Sequence, residues 1–136
     1  MSDERYEEGM RIRREVLGDA HVDRAIERTT PLTAAFQEFI TTYAWGAVWA
    51  RQGLDRRTRS AITLAVLAAL GREHELELHL RAARRNGLSD EEIGEVLLHT
   101  AIYAGVPAAN AAFALAQRVL GDCEGGERGR PGEDPR

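Results

Sequence analysis

The pattern of apolar and polar positions predicts helices along almost the whole chain and no convincing strand. Apolar residues recur three and four positions apart, the spacing of one face of an α-helix, and glycines or prolines separate the helical stretches. Breaks at Gly18, Gly53, Gly71, Gly87 and Gly105 divide the chain into short segments. We therefore expect an all-α protein, a compact single-domain bundle of about seven helices joined by short turns.

Several helix ends carry recognisable signals. Asp55 is placed to cap a helix that runs to Gly71. Ser89 and Glu92 have the spacing of a capping box, in which the serine oxygen accepts from the backbone amide at the glutamate position while the glutamate reaches back. Asn86 followed by glycine is a usual stop for the helix between them. These signals predict helices at about 55–70, 72–86 and 89–104.

The helix predicted over 72–86 has polar residues on both of its sides. On a helical wheel of about 100° per residue, one arc collects charged side chains and is the side expected to face solvent. Glu75 and His79 fall on the opposite side, together with Arg72 and Asn86. This second side is expected to be buried, because it also carries apolar residues: Leu76, Ala82 and Ala83.

An acid and an imidazole on an inward face are costly unless they are paired. Glu75 and His79 are four residues apart, so their side chains can meet on the helix surface. Two interpretations stay open: the pair does chemistry in a cleft, or it is a satisfied polar pair that holds helices together. A metal site on this pair is less favoured, because the other nearby groups are arginines and His74 lies on the solvent side.

Composition narrows the class of protein. The chain has 136 residues and a net charge of −4, which offers no basic field for nucleic acid. No apolar run approaches the ~20 residues of a membrane span, and the acidic first residues lack the apolar stretch of a secretion signal. We therefore expect a cytoplasmic protein that binds neither nucleic acid nor membrane. Its single cysteine, Cys123, excludes an internal disulfide and any CxxC site.

Composition also predicts the domain boundary. Apolar residues continue to Leu120, whereas the last residues are mainly glycine, proline and charged side chains. The expected helical domain therefore covers residues 1–120, and residues 121–136 are predicted to form a disordered polar tail.

Several separated motifs, taken in order, resemble the carboxymuconolactone decarboxylase family. Residues 14–24 and 43–46 resemble the branch that acts on 4-carboxymuconolactone in protocatechuate breakdown, and the resemblance covers 6–120. It implies an alkylhydroperoxidase D-like helical fold and a homo-oligomer, a trimer or a hexamer. The motifs are Trp45-Gly46, Thr58-Arg59-Ser60, the stretch from Glu75 through His79 to Ala83, Asn86-Gly87 and the stretch from Ala101 to Asn110.

The resemblance implies a carboxy-lyase that converts 4-carboxymuconolactone to β-ketoadipate enol-lactone. The lactone carbonyl accepts the electrons left by the departing carbon dioxide, so neither a metal nor an organic cofactor is expected. His79 is the expected proton donor, because imidazole titrates near physiological pH. Glu75 either orients the imidazole or faces the leaving carboxylate, and the sequence is compatible with both roles.

A small anionic lactone needs cationic and aromatic contacts. Arg59 and Arg72 are the candidate carboxylate clamps, since guanidinium offers a two-pronged donor, and Arg51 is a further candidate from a neighbouring loop. Ordinary ion pairs are the alternative for the first two arginines. Three aromatic residues are expected to wall the site, although core or subunit packing is an alternative for the tryptophans: Tyr43, Trp45 and Trp49.

Two rival functions remain. Peroxidase-like proteins of the same superfamily use a CxxC pair followed by a histidine on this helix. Here His79 matches that histidine, but Arg72 and Glu75 occupy the two cysteine positions, so there is no thiolate to attack a peroxide or a disulfide. The second rival is a helical oligomer that binds a ligand without catalysis.

Overall fold

The computed structural model describes residues 2–128, with side chains from 4 to 121, and every regular element in that part of the chain is helical. The all-α prediction is therefore confirmed, as is the number of about seven α-helices. In chain order these are α1 (Ser2–Leu17), α2 (Asp19–Glu27), α3 (Ala34–Phe39), a π-helical segment (Ile40–Trp49), α4 (Arg56–Leu70), α5 (Glu73–Arg85), α6 (Asp90–Ala104) and α7 (Val106–Arg128). No helix within residues 2–128 is long and apolar enough to span a bilayer.

The chain divides into two compact units, the first ending at Arg59 and the second beginning at Ser60. The expectation of one domain over residues 1–120 with a disordered tail stays a prediction. α7 continues to Arg128, past the expected boundary, and the rest of the predicted tail lies outside the described residues.

The first unit is built on close contact between α1 and the π-helical segment. A Cβ added to Gly9 of α1 would collide with the carbonyl oxygen of Thr41 and lie 2.9 Å from the amide nitrogen of Gly46. A Cβ added to Gly46 would in turn collide with the carbonyl oxygen of Arg5. The backbones of α1 and the π-helical segment therefore meet at Gly9 and Gly46, and they are too close for a side chain at either position.

The π-helical segment was not predicted, since its apolar spacing reads as ordinary helix. At its end the amide of Ala50 donates to the carbonyl of Trp45, five residues earlier, over 3.1 Å. The segment is rich in β-branched and aromatic residues, whose α-helical propensity is below that of alanine or leucine. π-Helical hydrogen bonding is rare and is found mostly as single turns within α-helices, frequently at functional sites.

The second unit has a continuous apolar core to which every one of its helices contributes. Leu64 of α4, Leu80 of α5 and Leu97 of α6 are fully buried in it. α7 contributes small residues as well as large ones, so it can approach its neighbours closely. Its buried members are Ala109, Ala112, Leu115, Ala116, Val119 and Leu120.

The predicted helix-end signals are confirmed. Asp55 Oδ1 accepts a hydrogen bond from the amide of Thr58 over 2.8 Å. Ser89 and Glu92 form the reciprocal capping box, with bonds of 3.0 and 2.9 Å. The apolar spacing of α6 predicts a buried side that ends at Ala104, and that prediction is wrong at its last position, because Ala104 is exposed. The last turn of α6 leaves that position outside the core, whereas Thr100, one turn earlier, is buried and donates its hydroxyl to the carbonyl of Val96.

We expect Gly9→Ala to destabilise the protein by about 2 kcal/mol or more, because the new methyl group must push α1 away from the π-helical segment. The measurement is urea unfolding followed by circular dichroism. Gly94→Ala is the matched control, since an added Cβ there meets nothing within 4 Å and α6 is regular around it. That control should be neutral or stabilising by up to about 1 kcal/mol. Equal stability of Gly9→Ala and the wild type would contradict the close contact.

Candidate functional site

Two glycine turns fix the ends of α5, the helix that carries the predicted chemistry. Before it, Gly71 has a φ of +72° and the amide of Arg72 donates to the carbonyl of Leu67 over 3.0 Å. After it, Gly87 has a φ of +104° and the amide of Leu88 reaches back five residues over 3.0 Å. Both are the six-to-one hydrogen bond of a helix that ends on a left-handed glycine. The start and the end of α5 are therefore set by backbone geometry.

His79 and Glu75 lie one turn apart on α5, as predicted, but they differ in burial. His79 is half-buried and is followed in the chain by the fully buried Leu80. Glu75 is exposed, so the prediction of an inward-facing acid is wrong for this chain. The physical reason is its position in the first turn, where the unpaired amides of the helix stabilise a carboxylate without burial.

The same side of α5 ends in a polar contact with α4. The side-chain amide of Asn86 donates to Ser60 Oγ over 2.8 Å, and Ser60 is only 2% exposed. On the helical wheel Asn86 lies about 20° from His79. The predicted polar side of α5 thus faces the start of α4 at this end, and two of the motifs recognised in the sequence touch there.

The aromatic candidates occupy the π-helical segment. Trp45 is buried and Trp49 half-buried, and their ring centroids are 5.1 Å apart, within the range of a favourable aromatic contact. Tyr43 is 51% exposed and packs its ring against Phe39 at 5.3 Å between centroids. The tryptophans therefore form a pair, and Tyr43 faces another direction on the same segment.

The candidate arginines lie near the ends of α4. Arg59, in the first turn, is half-buried and donates from Nη2 to the backbone carbonyl of Arg51 over 3.4 Å. Arg51 and Arg72 themselves have exposed side chains. Asp55 caps the helix one turn before Arg59, and hydrogen bonds from the side chain and backbone of Thr58 hold the pKa of Asp55 below its usual value. The cap and the carbonyl contact together orient the turn from which Arg59 projects.

The predicted site residues belong to two units. The aromatic residues with Arg51 and Arg59 belong to the first unit, and Arg72, Glu75 and His79 belong to the second. Within the described residues, no three His, Cys, Asp or Glu side chains lie close enough together to hold a metal ion. The side chain of Cys123 lies outside the part that the structure describes.

Sequence reasoning missed Arg13. This α1 residue is only 4% exposed, with hydrogen bonds to Thr41 Oγ1 at 3.1 Å and to Gln37 Oε1 at 3.2 Å. Burial lowers the pKa of its guanidinium below the ordinary arginine value. The signal was present in the sequence, because Arg13 lies four residues after Gly9 and three before Val16, in the apolar stripe of an otherwise charged helix.

The comparisons with known proteins agree with this helical arrangement. The sequence profile described as "Carboxymuconolactone decarboxylase family" matches residues 34–118, which include the π-helical segment, α4, α5 and α6. The chain belongs to the carboxymuconolactone decarboxylase family. The family resemblance seen in the sequence is therefore confirmed.

Three curated relatives are similar to this family member. A 4-carboxymuconolactone decarboxylase from Acinetobacter baylyi is 51% identical over 123 residues, covering 90% of this chain and 92% of the relative. A nitrosuccinic acid decarboxylase from Metarhizium robertsii is 42% identical over 127 residues, covering 93% and 89%. A 4-carboxymuconolactone decarboxylase from Pseudomonas putida is 54% identical over 43 residues, covering 32% and 90%.

We expect Asp55→Ala to lower the urea midpoint at neutral pH, because α4 loses its cap. The folded-state pKa of Asp55 is depressed, so its stabilisation is present above the unfolded-state pKa and is lost as the pH falls through the folded-state value. The gap between wild type and Asp55→Ala should therefore narrow on acidification. Asp55→Asn is the control, since asparagine also caps but does not titrate. A gap that is the same at every pH would contradict the charged cap.

Proposed function

We propose that this chain is a carboxy-lyase that converts 4-carboxymuconolactone to β-ketoadipate enol-lactone in protocatechuate breakdown, without a metal or an organic cofactor. One observation carries the proposal: a relative of 51% identity, which is named for this decarboxylation, aligns with 90% of this chain. Support from within the chain comes from α5, which carries a half-buried His79.

Decarboxylation of the lactone needs a group that accepts electrons, a proton donor and residues that bind the second carboxylate. When the ring carboxylate leaves as carbon dioxide, the electron pair of the broken carbon–carbon bond moves through the ring double bond to the lactone carbonyl. The resulting dienolate is then protonated on carbon to give the enol-lactone. A protein accelerates this reaction by stabilising the oxyanion and by delivering the proton.

The second relative is named for nitrosuccinic acid, which has an arrangement of groups in common with the lactone. In both acids the carbon that loses carbon dioxide also carries a short arm ending in a carboxylate. In both, that carbon adjoins a group that accepts the electron pair, either a conjugated lactone or a nitro group. Recognition of two carboxylates and protonation of a carbanion are therefore the shared requirements, and guanidinium and imidazole groups are suited to them.

The proposed roles follow these requirements. His79 donates the proton, and Glu75 either raises the proton affinity of the imidazole or faces the leaving carboxylate. Arg59, Arg72 and Arg51 are the proposed carboxylate contacts. The proposed walls that exclude water are the aromatic residues of the π-helical segment: Tyr43, Trp45 and Trp49.

The thiol peroxidase alternative is not favoured. The chain has one cysteine, and vicinal thiol chemistry needs two. The ligand-binding alternative is tested by the lactone assay itself: a folded protein that binds the lactone but releases no carbon dioxide would support it.

We expect His79→Ala to lower carbon dioxide release by about 10²–10⁴-fold, the usual contribution of a positioned general acid. The measurement is the loss of lactone absorbance, with circular dichroism to show that the variant is folded. His74→Ala is the matched control, because His74 lies on the same helix and is exposed. A His79→Ala enzyme with normal turnover would remove this histidine from the mechanism.

Arg59→Ala and Arg72→Ala should each raise KM about tenfold or more if their guanidinium groups bind the spectator carboxylate, because a hydrogen bond to a charged group is lost. Arg81→Ala is the control, since Arg81 is exposed on α5 and forms an ion pair with Glu77. Unchanged kcat and KM in either variant would assign that arginine a structural role.

We also propose that the chain is a homo-oligomer. The support is a set of large apolar side chains that the single chain leaves exposed. Leu98 and Ile102 on α6 lie one turn apart, and Ile102 is 74% exposed. Leu32, which is 90% exposed, precedes a second exposed run on α3 and the π-helical segment that contains Phe36, Phe39 and Tyr43. Contiguous apolar patches of this kind usually mark an interface, and a second copy of the chain is the proposed partner.

Ile102→Glu should convert the oligomer to a smaller species, because a carboxylate would be buried at the interface without a partner. Size-exclusion chromatography with light scattering measures the mass. Arg85→Glu, on the exposed polar side of α5, is the control for a change of charge. A wild-type protein that runs as a monomer, or a variant that keeps the wild-type mass, would count against this surface. The trimer or hexamer and the cytoplasmic location stay predictions.

A further inference from the structure

Arg13 is a buried cation that the proposed mechanism does not use. Ile12 and Val16, which share the buried side of α1 with Arg13, are apolar, and the Arg13 side chain is only 4% exposed. Its partners among the described residues are the neutral oxygens of Thr41 and Gln37, and its Nε has no hydrogen-bond partner there. Among the described residues, no carboxylate forms an ion pair with Arg13. A buried charge is costly, so an apolar residue would serve simple packing better.

The two oxygens that Arg13 holds belong to one ridge of the helix. Gln37, Thr41, Trp45 and Trp49 follow each other at intervals of four residues, through the last turn of α3 and the length of the π-helical segment. Residues at this spacing project from the same side of a helix. Arg13 therefore binds the first half of a ridge whose second half is the tryptophan pair.

The tryptophan pair continues the ridge that Arg13 holds. Trp45 and Trp49 follow Thr41 by four and eight residues, and their indole centroids lie 5.1 Å apart. Because both rings follow Thr41 on the same ridge, a rotation of the segment about its axis at Thr41 would change the direction of both rings. A planar guanidinium that donates to two successive members of the ridge fixes their relative direction, which a flexible single-point cation does not.

We propose that Arg13 is a positioning residue, which sets the direction of the Trp45–Trp49 pair by holding Gln37 and Thr41 on the same ridge. This inference rests on the proposed function in one respect, namely that the tryptophan pair is a wall of the decarboxylation site. Arg13 acts through the segment and is not proposed to contact the substrate.

The experiment uses variants that remove each hydrogen bond. Thr41→Val keeps the shape of the side chain and removes the acceptor for Arg13 Nη1, and Gln37→Leu removes the other acceptor. Arg13→Met removes the charge and both donor nitrogens, and Arg13→Lys keeps the charge but has a single donor nitrogen in place of the planar fork. The readouts are the circular dichroism signal of the coupled indole rings, tryptophan fluorescence, and kcat and KM with the lactone.

Thr42→Val is the matched control. Thr42 is the neighbouring threonine and is also buried, but it is not one of the hydrogen-bond partners of Arg13. We expect the indole signal to weaken in Thr41→Val, Gln37→Leu and Arg13→Met, and to stay at the wild-type level in Thr42→Val. We expect kcat to fall about tenfold to a hundredfold in Thr41→Val and in Arg13→Met with little change in KM, since a misplaced wall disturbs the reacting geometry more than binding. Arg13→Lys should also weaken the indole signal, because one ammonium nitrogen cannot hold both acceptors in the geometry of the guanidinium.

The effects of Arg13→Met and Thr41→Val should be less than additive in the double variant, because both remove the same contact. An indole signal that stays at the wild-type level in folded Thr41→Val and Gln37→Leu would overturn the proposal, as would equal changes in Thr41→Val and Thr42→Val. A wild-type protein with no activity on the lactone would defeat the proposed function alone, because the indole signal is read without substrate.

Discussion

Contact between two backbones is the constraint on which the first unit depends. Gly9 and Gly46 let α1 and the π-helical segment approach until a single methyl group would no longer fit. This closeness brings Arg13 within reach of Thr41 and leaves the guanidinium almost without solvent. The burial of the Arg13 charge is therefore a consequence of one short interhelical distance.

In the second unit, the position of the candidate site residues depends on the turns at the two ends of α5 and on the apolar core. A left-handed glycine before α5 and another after it fix the length of the helix, and the apolar core holds one side of it. His79 lies beside that core, where it is partly shielded from water, whereas Glu75 is at the exposed helix start. The imidazole is thus partly shielded by packing, whereas the acid lies where the unpaired amides of the helix start favour a negative charge.

Prediction from the sequence was accurate where the controlling interaction is local. The cap at Asp55, the capping box at Ser89 and the stop at Gly87 each depend on residues a few positions apart, and each has the predicted geometry. It was less accurate for burial, as Glu75 and Ala104 show, because a wheel treats every turn alike although terminal turns extend past their neighbours. It missed Arg13, whose partners are more than twenty residues away along the chain.

The sequence by itself determined the helical class, the positions of the main turns and the family, because spacing, glycine placement and ordered motifs are properties of the linear chain. It also placed an imidazole one turn after an acid on α5. Only the tertiary structure decided that residues 40–49 wind as a π-helix and that a cation is buried against them. The burial of Arg13 arises from contact between α1 and a segment distant in the chain, and the residue spacing within either segment alone does not reveal that contact.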